Sequence, residues 1–137
     1  MKYSSIMAVT GLPGLFELIT SRNDGAILRS LEENKTQFVS NRIHKFSSLE
    51  SIEIYTVNDN VNLVDIFHAM EKSPETLPDL KDNNSVKKYF EKTFSEMDFE
   101  KVYASDMKKI VKWYEILKKQ NVEIVLSETP EETSEIN

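Results

Sequence analysis

IMAVTGLPGLFELITSRNDGAILRSL, residues 6–31, holds three short apolar runs separated by two turn signals. Residues 6–10 read as a strand, Gly11, Leu12, Pro13 and Gly14 as a tight corner, and residues 15–21 as a second strand. Asn23, Asp24 and Gly25 then reverse the chain into a third strand over 26–31. Asp-Gly between apolar runs is a strong hairpin signal, because a hairpin turn of that kind needs positive φ at residues that tolerate it. The expected nucleus of the fold is an antiparallel meander.

Working outward, residues 36–39 are short enough for a fourth strand, and Ser47-Ser48-Leu49-Glu50 suits a single helical turn with Ser47 as its cap. Residues 52–57 alternate, with Ile52, Ile54 and Thr56 on one face and Glu53, Tyr55 and Val57 on the other, which predicts a half-buried fifth strand. Five short strands joined by tight turns point to a small, partly open barrel of the SH3-like kind over residues 1–60.

Asn58, Asp59 and Asn60 mark a change of hydrophobic rhythm from a period of two toward one of 3.6. Asn62 is placed to cap a helix carrying Leu63, Ile66, Phe67 and Met70 on one face. Ser85 is expected to cap a second helix with Val86, Tyr89, Phe90 and Phe94 inward. Ser105 and Asp106 open a third, with Met107, Ile110, Val111, Tyr114 and Leu117 as its apolar stripe. The expectation is an α+β chain: an N-terminal SH3-like barrel, then an orthogonal three-helix bundle over 61–121. Residues 122–137 are expected to be an acidic tail, largely disordered, although Val122, Ile124 and Leu126 alternate as an edge strand would.

The 137 residues are 39% hydrophobic and 29% charged, as in soluble globular proteins. Cysteine is absent, which excludes disulfides and thiolate metal sites and fits a reducing cytoplasm. With 17 basic against 23 acidic residues the net charge is −6, so whole-molecule attraction to nucleic acid or anionic lipid is not expected. Residues 85–121 are the one basic stretch, at +3. No apolar run approaches a membrane span, and Gly11, Pro13, Gly14 and Glu17 interrupt any secretory leader.

The Gly11–Leu18 pattern, the Ser47–Glu50 turn leading into Ile52-Glu53-Ile54-Tyr55-Thr56, and the run Val102-Tyr103-Ala104-Ser105-Asp106-Met107-Lys108-Lys109-Ile110-Val111-Lys112-Trp113-Tyr114 resemble a family of short bacterial proteins known only as a domain of unknown function. The resemblance spans residues 3–120. It implies an SH3-like barrel roll followed by a small helical bundle, and it carries no activity, substrate or catalytic residue.

Motifs for chemistry are missing. His44 and His68 lie far apart with no ligand cluster nearby, and lone histidines usually serve packing or solvation. Asp79, Asp82, Asn83 and Asn84 lack the ordered spacing and turning glycine of a calcium loop. No Gly-x-Ser-x-Gly elbow occurs, and all three glycines sit in the opening meander, leaving none for a phosphate cradle. No cofactor is expected.

Two surfaces remain. Lys108, Lys109, Lys112, Lys118 and Lys119 interleave with Trp113 and Tyr114 on the third helix, the one stretch suited to phosphate contacts. Against that, Glu115 is spaced to pair with Lys112 and Lys119, and the helix has no arginine. Phe94, Met97, Phe99, Val102 and Tyr103 are dense in large apolar groups, either closing a core or forming a patch for a partner. The expected function is therefore a non-enzymatic cytoplasmic interaction or adaptor protein for a protein or peptide partner, without membrane contact. Candidate partner-binding residues are Phe99, Tyr103, Lys108, Lys109, Lys112 and Trp113. The competing expectation is a nucleic-acid or ribosome-associated protein using the basic helix. A binding groove is expected between the corner at 11–14 and the turn at 23–25.

Overall fold

The computed structural model describes residues 1–127; the tail expected over 128–137 lies outside the described residues. Four strands form the expected meander: β1 (Ile6–Val9), β2 (Phe16–Arg22), β3 (Gly25–Ser30) and β4 (Thr36–Ser40). The fifth strand, β5 (Phe46–Ser48), returns antiparallel to β1, giving the order β4-β3-β2-β1-β5. No ladder joins β4 to β5 among the described residues, so the five-stranded sheet stays open rather than closing into a barrel. Its neighbours slip between Leu18 and Thr20, which leaves Ile19 as an extra residue in β2 and bends the sheet there.

The hairpin at residues 23–24 forms as expected, with Arg22 paired to Gly25, but none of its residues has positive φ. Gly25 is required for a different reason. A Cβ there would lie 2.2 Å from the Val39 carbonyl oxygen, so only glycine allows β3 and β4 to approach this closely. The positive-φ glycines are Gly11 and Gly14, at +85° and +82°, in the corner between β1 and β2.

The fifth strand is the main departure from expectation. Residues 52–57 keep their alternation, with Ile54 and Thr56 buried and Tyr55 and Val57 exposed, yet they do not join the sheet. Glu53–Ile54 (β6) pairs with Val61–Asn62 (β7), and the Val57 amide donates to Glu96 while the Asp98 amide donates to Tyr55. The place beside β1 is taken by Phe46–Ser48 because Thr10 ties the two chains together. Its amide donates to the Lys45 carbonyl at 3.0 Å, and its hydroxyl accepts from the Lys45 amide at 2.8 Å.

Helix α1 (Leu63–Lys72) starts at Asn62, whose side chain accepts from the Val64 amide and donates to the Glu50 carbonyl. Helix α2 (Asn83–Thr93) is capped by Asp82 rather than Ser85; the carboxylate accepts from the amides of Asn84 and Ser85 and from the Ser85 hydroxyl. These bonds favour the ionised form and hold the Asp82 pKa below the usual carboxylate value. Helix α3 (Ala104–Lys119) begins one residue before Ser105, and Asp106 accepts from the Tyr103 amide.

At the end of α3, Asn121 takes φ +56°, the Val122 amide donates to Leu117 and the Asn121 amide to Lys118. This left-handed cap turns the chain back onto the body. Residues 122–127, grouped with the expected tail, are consequently tied to the body at alternate positions, while Val125 and Leu126 stay exposed. Val122 and Ile124 are buried, His68 donates to the Ile124 carbonyl, and Ser127 donates twice to the Glu50 carboxylate. Only Glu123 makes a strand-like bridge, parallel to Lys2.

Two cores result. A small one, Val9, Phe16, Ala26, Leu28 and Val39, lies within the curl of the sheet. The larger one joins Tyr3, Ile6, Leu15, Leu31 and Leu49 from the N-terminal half to Ile66, Phe67, Phe90, Ile110 and Leu117 of the helices. Sheet and helices thus share a core. No helix among the described residues is long and apolar enough to cross a membrane.

Candidate functional site

The inward stripe of α3 fixes what the rest of that helix presents. With Met107, Ile110, Val111 and Leu117 buried, Lys109, Lys112 and Trp113, three and four residues apart, share an adjoining face. Trp113, the chain's single tryptophan, is half-buried: its inner edge packs on the large core and its outer edge lines a cleft.

The cleft has two arms. One, of about 430 Å³, runs between α3 and the β1–β2 corner and is lined by Thr10, Gly11, Leu12, Pro13 and Gly14 opposite Lys109, Lys112 and Trp113. The other, of about 270 Å³, runs between α3 and β6 and is lined by Glu53, Ile54 and Tyr55 opposite Lys101, Val102, Asp106, Lys109 and Trp113. Ile52, Lys109 and Trp113 line both arms. The surface is mostly apolar, with a few charged groups at its edge, as small recognition sites are.

The corner wall is rigid for local reasons. Gly11 and Gly14 supply the backbone reversal, Thr10 is bonded to Lys45, and His44 Nδ1 donates to the Thr10 carbonyl at 2.7 Å. On the far wall the Lys101 ammonium sits 5.4 Å from the centre of the Tyr55 ring, a cation–π distance.

Among the described residues neither Lys109 nor Lys112 takes part in an ion pair, and Glu115 pairs with neither Lys112 nor Lys119. Lys118 is the exception on this helix. It donates to Glu71 at 3.1 Å, which raises its pKa and removes it to the opposite side. Asp106 faces the cleft but is committed to the Tyr103 amide.

Of the residues expected to bind a partner, Lys109, Lys112 and Trp113 come together here. Lys108 lines neither arm; Tyr103 stands exposed at the start of α3; Phe99 is half-buried against the large core, with the Lys87 ammonium 6.0 Å from its ring. Met97 and Val102 are buried, so most of the dense apolar run closes the core. The expected groove also changes: residues 11–14 form one wall as anticipated, but 23–25 line neither arm, and Asn41 bonds that turn to the end of β4. Ile52 and Tyr55 escape sequence reasoning because the alternation of 52–57 points to the five-stranded sheet, and Lys101 because nothing in its local sequence points to the cleft.

Both histidines are engaged by backbone carbonyls, His44 by Thr10 and His68 by Ile124. Among the described residues no three His, Asp or Glu side chains gather closely enough to hold a metal ion.

Two family models of unknown function match the chain. Residues 4–49 match Domain of unknown function (DUF5606), and residues 52–117 match Domain of unknown function (DUF6852). The first spans the five-stranded sheet; the second begins at Ile52 and spans β6, β7 and the helices. The corner arm of the cleft lies where the two matched segments face each other, and the β6 arm lies wholly within the second. A solution NMR structure from Bacteroides vulgatus, a structural genomics target, is similar to this chain at 25% identity over 85% of this chain and 86% of that one, with a TM-score of 0.68. No curated protein matches.

Proposed function

We propose that this protein is a non-enzymatic interaction module of the bacterial cytoplasm that holds a segment of a protein partner in the Trp113 cleft. The observation that carries this reading is the placement of a half-buried tryptophan, the only one in the chain, in a cleft whose corner arm is built from both halves of the molecule. Aromatic side chains in such positions anchor peptide and protein partners, because they bury much apolar area at small entropic cost. The five-stranded order, with a bulged second strand and a fifth strand beside the first, supports an open SH3-like roll. In this reading α3 supplies the second wall of its groove.

The nucleic-acid reading draws on the unpaired lysines of α3. It is the weaker of the two. Phosphate-driven affinity grows with the number of neutralised phosphates, and the cleft offers only three lysines.

The test is capture of partners from a native cytoplasmic extract by the full chain and by Trp113→Ala, each with and without nuclease. The protein-partner reading expects capture that survives nuclease and is lost in Trp113→Ala, with circular dichroism confirming that the variant is folded. Capture that disappears with nuclease replaces it with the nucleic-acid reading.

A further inference from the structure

The two arms of the cleft meet at Trp113, and the lysines are spread along both. Lys112 lines only the corner arm, Lys109 lines both, and Lys101 lines only the β6 arm. The apolar groups Leu12, Pro13, Ile52, Ile54 and Trp113 run the same course. An occupant that fills both arms must cross the Trp113 ring as a continuous segment, and it then meets cations at three successive places beside an apolar track.

Resting on the interaction reading above, we propose that the occupant is an extended acidic segment of a protein partner, in which carboxylates alternate with apolar side chains. An extended chain sends successive side chains to opposite faces, so such a sequence lays its apolar residues on the Trp113 track and its carboxylates toward Lys101, Lys109 and Lys112. Charge complementarity favours acid over base. Lys109 and Lys112 have no ion-pair partner among the described residues, the three lysines outnumber the two lining carboxylates, Glu53 and Asp106, and both of those lie on the β6 arm, so the corner arm carries cations alone. A single-stranded nucleic acid would also bring negative charge. It would find two aromatic rings, Trp113 and Tyr55, the second already covered by Lys101, no arginine and three lysines, too little for the combined stacking and phosphate tracking that such ligands use.

Because Trp113 is the only tryptophan, its emission reports the cleft directly. The experiment titrates the full chain with three capped peptides, GELEPELEG, GQLQPQLQG and GKLKPKLKG, and with oligodeoxythymidylate, following Trp113 fluorescence. The glutamate peptide is expected to bind saturably with a change in emission, about tenfold or more tighter than the glutamine peptide, and to weaken with added salt. The variant with both Lys109→Glu and Lys112→Glu should lose that preference and favour the lysine peptide, while its far-ultraviolet circular dichroism stays that of the parent.

Equal binding of glutamate and glutamine peptides overturns the acidic preference and leaves the interaction reading standing. Peptide binding that leaves Trp113 emission unchanged, or no saturable binding of the glutamate peptide, overturns the cleft as its place. Tighter binding of oligodeoxythymidylate than of the glutamate peptide overturns the proposal in favour of nucleic acid.

Discussion

The two cores of this molecule are built differently. The small one sits within the curl of the sheet: its buried members come from strands β1 to β4, from Val9 to Val39, with Leu12 of the corner and Phe46 of β5 packed against them. The large one gathers residues from Tyr3 to Ile124, so its contacts close over nearly the whole described chain. Side chains on one sheet therefore serve two interiors: Val9 and Phe16 belong to the small core, Ile6 and Leu15 to the large one. The lesson concerns organisation. A change in secondary-structure type along the chain does not imply that each type keeps an interior of its own.

The sharpest way to break this comparison is to open the large core. Phe67 is fully buried, meets the Tyr3 ring edge-on at 6.4 Å between centroids and lies 6.0 Å from the Tyr114 ring. Phe67→Ala should cost about 3–5 kcal/mol, the usual loss for a buried aromatic replaced by a small side chain. Since Tyr3 precedes the sheet, the loss should reach both halves. Urea unfolding followed by far-ultraviolet circular dichroism and by Trp113 fluorescence should give one coincident transition, shifted to lower denaturant. Two separated transitions would mean that the halves keep independent interiors.

The small core is tested at Gly25. Its added Cβ would meet the Val39 carbonyl oxygen, which belongs to a paired strand and cannot swing aside as a side chain can. Gly25→Ala should destabilise the protein by about 1–3 kcal/mol through overpacking. Thermal unfolding measures it. A neutral or stabilising result would show that β3 and β4 have room to separate.

How much of this was legible in the sequence follows from the same contrast. Helices α1 to α3 announce themselves by period, because each buries one face, and strands β1 to β4 by short apolar runs cut by turn residues. Phe46-Ser47-Ser48 has no period to announce, and its place beside β1 depends on bonds between Thr10 and Lys45, thirty-five positions apart. Residues 52–57 have the period of a half-buried strand, and alternation does not say against what that strand packs. Lys109, Lys112 and Trp113 were legible as a face of α3. The facing wall was legible only in part, because Gly11–Gly14 is punctuated by glycine and proline whereas Ile52, Tyr55 and Lys101 carry no local signal.

The seam between the halves is sharpened by Asn62. Its side chain accepts from the Val64 amide at 2.9 Å as a helix cap and donates to the Glu50 carbonyl at 2.8 Å, which anchors α1 to the turn that ends the sheet. Asn62→Ala should cost about 1–2 kcal/mol, toward the upper end for a cap because it also removes the donor to Glu50. Asn62→Asp separates the two parts. Aspartate keeps the capping acceptor and lacks the amide donor, so a smaller loss in Asn62→Asp than in Asn62→Ala assigns the difference to the helix cap.

The smallest change tests the large core where it is least satisfied. Tyr3 is buried, and its hydroxyl has no hydrogen-bond partner among the described residues. Burial raises the phenol pKa well above its usual value, with the nearby Glu50 carboxylate adding to the effect. The unfolded chain ionises Tyr3 near pH 10 while the folded chain holds it neutral, so the stability carried by the neutral phenol is full below that pH. It is lost as pH rises from there toward the folded value. Tyr89 and Tyr114 shift in the same direction by burial, so the alkaline decline is shared. Tyr3→Phe keeps the ring against Phe67 and removes the unpartnered hydroxyl. At neutral pH it should be neutral or stabilising by up to about 1 kcal/mol, because a buried polar group without a partner carries a desolvation cost. Above pH 10 its stability should fall less steeply than the parent's, read from urea midpoints across an alkaline series. A loss at neutral pH would show that the hydroxyl is hydrogen-bonded to water in solution, and that the large core is better satisfied than its side chains alone provide.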